Sequence, residues 1–463
     1  MKKKLSIKIK IFIASVIILI SYLFSSYLIS EGDKYSYYKQ IKKLLSSEQK
    51  DLIKKYIFPH KHPSYLSKKE LKFKEEGKDI KIIKSSVKLS NNKILKKYQL
   101  TPGIYSGIAN LNPGSAYIDF FENNLFILSS RGVLAFKKNL NSNQDNFKQI
   151  KNNIEDFIGI KQFSKSNKYS LKDLMIFNKK IYISYTEEIR EDCWNTSAIH
   201  GNINYESIVF KKLFSSKECI HSKNNIDGEW EQHQSGGRIV PFDENHVLFS
   251  VGEYRARYLA QKKESVNGKI IKIDINNSNY EIISMGHRNP QGLYFDKENN
   301  FILETEHGPK GGDEINLIEV NKTGKDKIQN YGWATSSYGV HGSSKGKYIG
   351  NTHEEKLKKK YEKYPLYKSH IKYSFIEPLK AYVPSIGISE IVKIGKNRYV
   401  HGSMGNVREG DKSLYFFELT NEKKIINLQQ VKVFERIRDL KFHNNKLYLF
   451  MENTASIGVI DLI

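Results

Sequence analysis

The stretch NPQGLYFDKENNFILET, residues 289–305, holds the pattern that decides the fold: two short apolar segments joined by a polar turn with asparagine. Segments of this length and composition are typical of β-strands, and such a turn joins two strands into a hairpin. The turn and its second strand recur along the chain. The copies are ENNLFILSS from Glu122, FNKKIYISY from Phe177, DENHVLFSV from Asp243, KENNFILET from Lys297, GKNRYVHGS from Gly395 and HNNKLYLFM from His443.

The spacing of these six copies indicates a repeat architecture. Most lie about 50 to 65 residues apart, within the range of one four-stranded propeller blade with its loops. One longer interval, between the fourth and fifth copies, contains an inserted region. We therefore predict an all-β protein whose residues 99–463 form a six-bladed β-propeller, closed by a last strand near residues 455–463. An all-β sandwich with similar hairpins is the alternative, and six copies in matching phase favour the propeller.

The composition allows a large core and argues against a nucleic-acid-binding protein. The chain has 463 residues, of which 39% are hydrophobic and 12% aromatic, which excludes global disorder. Its net charge is +25, but the lysines are scattered among Asn and Ile without a dense basic stripe. We interpret the charge as a solvated surface with weak attraction to anions.

The N-terminus predicts a membrane anchor. The cationic MKKKLSIKIK precedes about twenty uncharged residues, close to the length of one membrane span. Because positive residues stay in the cytoplasm, the rest of the chain is expected on the periplasmic side of the inner membrane. A cleaved signal peptide is the alternative. We assign residues 1–30 to the anchor and the Lys-rich residues 31–98 to a helical or extended linker.

The two cysteines, Cys193 and Cys219, fit an exported protein. In an oxidising compartment we expect a disulfide between them that staples a hairpin, because the intervening segment reads as two strands and a loop. Two free buried thiols are the alternative.

If the hairpins are blades, residues that precede each first strand gather around the axis on one face. These residues are Lys168, His233, His287, Arg288, Asn289, Pro384, Ser385, Arg436 and Arg438. Arginines pair with planar carboxylates through two hydrogen bonds, so this mouth is predicted to bind an anionic ligand. Glu253 follows His233 at the end of the next strand, and a carboxylate that orients an imidazole is the arrangement of a general base.

The loop HGPKGGDEINLI, residues 307–318, offers backbone carbonyls together with Asp313 or Glu314. Carbonyl and carboxylate oxygens are the ligands that Ca²⁺ prefers. A surface turn capped by Asp is the alternative.

The motifs HQSGGRIVPF, GHRNPQGLYFD, ETEHGPKGGDEINLI, NYGW and RIRDL occur in this order. Together they resemble the glucose/sorbosone dehydrogenase family of soluble-type aldose sugar dehydrogenases that depend on pyrroloquinoline quinone (PQQ). The resemblance covers roughly residues 103–463. It implies a six-bladed propeller with PQQ on the axis that oxidises a sugar C1 hydroxyl to a lactone and passes electrons to an external acceptor.

The resemblance also implies a role for each matching residue. His233 is the general base and Glu253 its supporting carboxylate, where better-known members have aspartate. PQQ is bound by Arg288, Asn289, Arg436 and Arg438, and Ca²⁺ by the Gly308, Pro309 and Tyr331 carbonyls and the Glu314 carboxylate. Lys168 stands at the cofactor where glucose-specific members have glutamine, Gly405 where they have lysine, and Ala381 where a threonine contact is expected. A binding propeller that has lost the base is the alternative function, and a calcium-dependent lactonase is a third.

Overall fold

The computed structural model describes residue 21 and residues 62–107, 114–138, 146–225, 230–309, 311–322, 328–339, 370–405 and 411–462. The chain divides into two compact units, residues 1–66 and 67–463, and every described strand lies in the second. Among the described residues, no helix is long and apolar enough to cross a membrane. The expected anchor at residues 1–30 lies outside these residues except for residue 21.

Strands dominate the described part of the chain. The helices are α1 Pro63–Glu75, α2 Ile160–Lys165 and α3 Tyr258–Gln261, with 3₁₀ turns at Ile154–Asp156, Val320–Lys322 and Ile371–Tyr373. The strands are β1 Ile80–Lys88, β2 Ile94–Leu100, β3 Ala116–Phe121, β4 Asn124–Ser129, β5 Leu134–Lys138, β6 Asn146–Gln149, β7 Lys151–Asn152, β8 Leu171–Phe177, β9 Lys180–Arg190, β10 Cys193–Asn202, β11 Ser207–Ile208, β12 Lys211–Phe214, β13 Ile220–His221, β14 Gly236–Asp243, β15 His246–Val251, β16 Lys269–Asp274, β17 Tyr280–Met285, β18 Pro290–Asp296, β19 Phe301–Glu306, β20 Asp313–Glu319, β21 Gln329–Asn330, β22 Lys380–Tyr382, β23 Ile388–Lys393, β24 Arg398–Ser403, β25 Ser413–Leu419, β26 Ile425–Lys432, β27 Ile437–His443, β28 Lys446–Met451 and β29 Ser456–Asp461.

All six hairpins predicted from the Asn turns are present as antiparallel pairs. They are β3–β4, β8–β9, β14–β15, β18–β19, β23–β24 and β27–β28. Their first strands contact one another in cyclic order, β3 to β8, β14, β18, β23, β27 and back to β3. The fold is therefore all-β, as predicted, with hairpins that follow one another around a common axis.

The hydrophobic core is divided into layers between successive sheets. One layer joins Phe126 of β4 to Ile183 of β9, and another joins Leu303 of β19 to Tyr399 of β24. These side chains are completely buried. Each sheet is thus covered by its neighbours, which explains why the second strands of the hairpins are almost continuously apolar.

The predicted boundary near residue 98 is corrected by β1 and β2, which lie within the segment assigned to a linker. β2 pairs with β29 on one side and with β1 on the other, and β1 pairs with β6. The last strand therefore pairs with an N-terminal strand that precedes the first hairpin. The Lys-rich composition concealed these strands because β2 alternates between exposed and buried positions and β1 is mostly exposed.

The expected disulfide between Cys193 and Cys219 is confirmed. Cys193 begins β10, and Cys219 immediately precedes β13, which pairs with β10. The bond therefore fixes a short outer strand to its neighbour.

Candidate functional site

His233 lies in a turn closed by a hydrogen bond from the Gln234 N–H to the Glu231 carbonyl, 3.1 Å long. The turn brings Glu231 Oε1 to 3.2 Å from His233 Nδ1, and Lys168 Nζ donates to the same oxygen at 2.8 Å. The His233 side chain is 40% exposed, so it can meet a ligand. The carboxylate that orients this imidazole is therefore Glu231 and not Glu253, which corrects the sequence-based assignment.

The surroundings of His233 disfavour its charged form. Desolvation lowers the pKa of His233, while the hydrogen bond that its ring donates to Glu231 opposes that change. Burial alone would raise the pKa of Glu231, but His233 and Lys168 outweigh it and hold this pKa well below its usual range. A neutral imidazole beside a firmly ionised carboxylate can accept a proton and stabilise the resulting cation.

Glu253 supports Arg288 instead. With its amide oriented to satisfy both neighbours, Gln234 donates to Glu253 Oε1 at 2.5 Å and accepts from Arg288 Nη2 at 2.6 Å. Glu253 is completely buried, and this burial raises its pKa to about 7 against the opposing influence of Arg288. Gln234, the residue after His233 in the chain, thus links Glu253 to Arg288.

Arg288 and Asn289 are held rigidly at the start of β18. Arg288 Nη1 donates to the His307 carbonyl at 2.7 Å, and Asn289 Oδ1 accepts from the Gly236 N–H at 3.2 Å. The backbone N–H groups of both residues donate to Glu306 Oε2, at 2.5 and 3.3 Å.

His287 is placed differently from Arg288 and Asn289. It was expected to face the ligand with Arg288 and Asn289, but it is completely buried and its ring stacks on Tyr331. Ser284 Oγ lies 2.8 Å from His287 Nε2, on the interior side of the chain. The expectation was wrong because consecutive residues of an extended chain point in different directions.

Arg436 and Arg438 share one buried carboxylate. Their Nε atoms donate to the two oxygens of Glu452, at 3.0 and 2.7 Å. Burial alone would raise the pKa of Glu452, but the two guanidinium groups lower it to about 2. Alternate residues of β27 lie on one face, which explains why these arginines meet the same partner.

The structure brings the base and the arginines into one neighbourhood. Lys172 is buried, its pKa is lowered by burial and by the nearby charges of Arg438 and Lys168, and it also influences His233. His307 in turn lies within the electrostatic influence of both Arg288 and Arg438. These interactions support the predicted cationic mouth and add Lys172 to its basic residues.

A buried ion cluster underlies this mouth. Arg238 Nη1 contacts Asp173, Glu390 and Asp439, each at 2.9 Å, and its Nη2 donates to the Arg438 carbonyl at 2.7 Å. These four residues come from β14, β8, β23 and β27, so the cluster ties the first strands together.

Of the residues expected to bind Ca²⁺, Gly308 and Pro309 precede β20, Glu314 lies on β20, and Tyr331 follows β21. The Pro309 carbonyl accepts from Ser385 Oγ at 3.3 Å, and the Tyr331 carbonyl is 3.1 Å from His370 Nε2. Glu314 is buried, and burial together with Glu306 raises its pKa well above the usual value. Asp313 accepts hydrogen bonds from the backbone N–H of Gly308 and from those of residues 386–388, so it has a structural role.

Two residues that depart from the family pattern can be located in the structure, and one of the departures has a structural cause. Gly405 has a φ of +60°, and an added Cβ would lie 2.5 Å from the Asp411 carbonyl oxygen, which excludes a lysine in this backbone. Its carbonyl accepts from Arg436 at 3.2 Å. Ala381 pairs with Glu314 across β20 and β22.

Sequence reasoning missed Glu231, Lys172, Gln234, Arg238 and Glu452. Glu231 could have been found from its position two residues before His233. Glu452 and Arg238 carried no local signal because their partners are remote in the chain, up to 201 residues away for Arg238 and Asp439.

A family model described as Glucose / Sorbosone dehydrogenase matches residues 170–458. Aldose sugar dehydrogenase YliI of Escherichia coli (strain K12) is 27% identical over 199 residues, which cover 38% of this chain and 49% of that protein. Quinoprotein glucose dehydrogenase B of Acinetobacter calcoaceticus is 29% identical over 133 residues, 22% of this chain and 26% of that protein. The chain thus spans about half the length of YliI, and less of the second relative.

Solved structures show the same fold. The soluble aldose sugar dehydrogenase of Escherichia coli in its apo form has a TM-score of 0.56 at 17% identity, over 79% of this chain and 99% of that one. The PQQ-bound aldose sugar dehydrogenase of Streptomyces coelicolor has a TM-score of 0.53 at 14% identity, over 79% of this chain and 98% of that one. With a family model that covers more than half of its residues, the chain belongs to the glucose/sorbosone dehydrogenase family.

Proposed function

We propose that the chain is a PQQ- and Ca²⁺-dependent dehydrogenase that oxidises an aldose sugar, or a related alcohol, at C1 to a lactone. The observation that carries this proposal is the exposed His233, paired with Glu231 at 3.2 Å beside a cluster of basic side chains. The family match and the names of the relatives support the same reaction class.

The basic mouth fits PQQ, which carries three carboxylates. Arg288, Arg436 and Arg438 offer guanidinium groups, Asn289 offers an amide, and Lys168 adds positive charge. These cations outnumber the three carboxylates that lie beside them, which are Glu231, Glu253 and Glu452. When bound there, PQQ supplies a two-electron acceptor for the sugar.

His233 provides the proton chemistry. With Nδ1 directed at Glu231, Nε2 is the nitrogen that accepts the proton of the C1 hydroxyl, and Glu231 stabilises the imidazolium that results. The lining of arginines favours negative charge that develops next to the base.

Ca²⁺ fits the oxygen-rich set of the Gly308, Pro309 and Tyr331 carbonyls and the Glu314 carboxylate. The buried Glu314, whose pKa is raised, indicates a carboxylate that a cation would stabilise.

Three further features belong to the same proposal. The cyclic contacts of the six first strands support a six-bladed propeller. The uncharged stretch after MKKKLSIKIK supports an anchor at the inner membrane, with the propeller on the periplasmic side. Electrons would then pass to an external quinone or cytochrome.

The test is dye reduction by purified protein supplied with PQQ, Ca²⁺ and a panel of aldoses. We expect His233→Ala to lower kcat by about 10²- to 10⁴-fold, since a positioned general base contributes that much. PQQ uptake, followed by absorbance and calorimetry, should persist in this variant. His246→Ala, which changes a histidine on the turn between β14 and β15, is the matched control and should keep full activity.

Failure of the wild-type protein to reduce the dye with every aldose would contradict the proposal. PQQ uptake without turnover would instead identify a binding propeller.

A further inference from the structure

A second group of potential ligands lies behind the mouth, independent of the proposed function. His287 Nδ1 is 3.7 Å from Glu304 Oε2 and 3.6 Å from Glu306 Oε1, and all three side chains are buried. Glu304 and Glu306 lie on the same face of β19 because alternate residues of a strand share a face.

Several polar atoms of this group lack partners. Within the described part of the chain, His287 Nδ1, Glu304 Oε1 and Asn316 Oδ1 make no hydrogen bond. His287 and Glu304 are both 0% exposed, and an unpaired buried polar atom costs about 1–3 kcal/mol. The unpaired His287 Nδ1, which lies 3.7 and 3.6 Å from the two carboxylates, therefore indicates a missing ligand.

Hydrogen bonds already hold the three ligand groups in place. Ser284 Oγ lies 2.8 Å from His287 Nε2, and Asn316 Nδ2 donates to Glu304 Oε2 at 3.1 Å and to Glu306 Oε1 at 3.2 Å. Metal-binding imidazoles and carboxylates are commonly held in this way by outer hydrogen bonds.

Glu304 has no lysine or arginine among the groups that lower its pKa. Burial, Glu306 and Glu314 all raise the pKa of Glu304, and only the hydrogen bond from Asn316 lowers it. The cluster of Asp173, Glu390 and Asp439 is different, because Arg238 occupies its centre. A proton on Glu304 would neutralise one charge but would leave His287 Nδ1 without a partner.

The ligand atoms fit one shared cation. An ion about 2.1 Å from an imidazole nitrogen and from carboxylate oxygens separates these atoms by roughly 3.4–3.7 Å at angles near 110–120°. The observed separations of 3.6 and 3.7 Å match this geometry. A nitrogen ligand favours Zn²⁺ or Mn²⁺ over Ca²⁺, which prefers oxygen alone.

We propose that His287, Glu304 and Glu306 bind a divalent transition-metal ion in a structural site of their own, next to Glu314 and Tyr331 of the proposed Ca²⁺ set. Glu306 also accepts the backbone N–H groups of Arg288 and Asn289. The ion therefore fixes the segment that presents these two residues at the mouth.

The test is a titration of the full chain, freed of metal and kept in excess Ca²⁺, with Co²⁺ as the probe. We expect stoichiometric uptake with a visible d–d absorption band and a rise in Tm. Zn²⁺ competition should remove the band and keep Tm raised, and chelation should reverse both. Glu304→Gln keeps the shape of the side chain and should weaken Co²⁺ binding by more than about 100-fold, since loss of an outer partner alone costs about 10–100-fold.

Glu390→Gln is the matched control, because it removes a buried carboxylate from the cluster that Arg238 fills, and its Co²⁺ uptake should equal that of the wild type. The proposal is overturned if wild-type protein shows no Co²⁺ band, if excess Ca²⁺ abolishes it, or if a folded Glu304→Gln variant binds Co²⁺ as tightly as the wild type. If that variant does not fold, the wild-type and Glu390→Gln titrations decide the matter.

Discussion

At the scale of single residues, the carboxylate that contacts His233 affects the pKa of its imidazole. Glu231 contacts the imidazole directly, whereas Glu253 reaches Arg288 through Gln234. The pKa of His233 therefore depends on Glu231, and the position of Arg288 depends on Glu253.

We predict that Glu231→Gln moves the acid limb of the kcat/KM profile to lower pH. Desolvation already lowers the pKa of His233, and Glu231 raises it, so removal of the carboxylate lowers this pKa further. We also expect kcat to fall by about 10-fold or more, because a hydrogen bond to a charged group contributes roughly 1.5–3 kcal/mol.

Glu253→Gln is the control for this prediction. Its acid limb should stay at the wild-type pH, while PQQ binding weakens because Arg288 loses support. The reverse pattern, with a shifted limb for Glu253→Gln alone, would restore Glu253 as the partner of His233.

At the scale of elements, short outer strands depend on cross-links that the hairpins do not need. β13 has only two residues and pairs with the start of β10, where the Cys193–Cys219 bond joins them. The bond closes a loop that contains β11 and β12.

We predict that Cys193→Ser combined with Cys219→Ser lowers the free energy of unfolding by about 3 kcal/mol, as expected for a loop of this length. Urea unfolding followed by tryptophan fluorescence measures the change. A reducing agent should lower the midpoint of the wild type and leave that of the double variant unchanged. Equal midpoints for the two oxidised proteins would show that the bond contributes nothing.

At the scale of the whole molecule, the pairing of β2 with β29 connects the last hairpin, β27–β28, to the strands that precede the first hairpin. Lys97 lies opposite Gly458 on one side and Ser85 on the other, so its backbone is inside the sheet. Although Lys97 also contacts Glu435, the pairing of the backbone is what links the N-terminal strand to the last strand.

We predict that Lys97→Pro destabilises the protein by about 3 kcal/mol or more, because proline removes a ladder hydrogen bond and is poorly tolerated inside a sheet. Hydrogen exchange of β29 amides should rise sharply in the folded variant. Lys97→Ala, which removes the side chain and keeps the backbone N–H, should retain the protection of β29. Unchanged exchange in Lys97→Pro would mean that the pairing does not hold the last strand.

The sequence by itself determined the local structure and the family. Asn turns between apolar segments locate all six hairpins, and the HQSGGR, GHRNPQGL and RIRDL motifs contain His233, Arg288 and Arg438. These features can be predicted from the sequence because turn geometry and strand alternation depend on residues that are close in the chain.

Only the tertiary structure decided which side chains are partners. The Glu452 oxygens meet two arginines, Arg238 fills one acidic cluster, and the cluster of His287, Glu304 and Glu306 contains no such cation among its described contacts. The paired strands β1 and β2 were also hidden in a Lys-rich segment. Burial and charge compensation depend on which remote strands are packed together, and local sequence patterns do not carry that information.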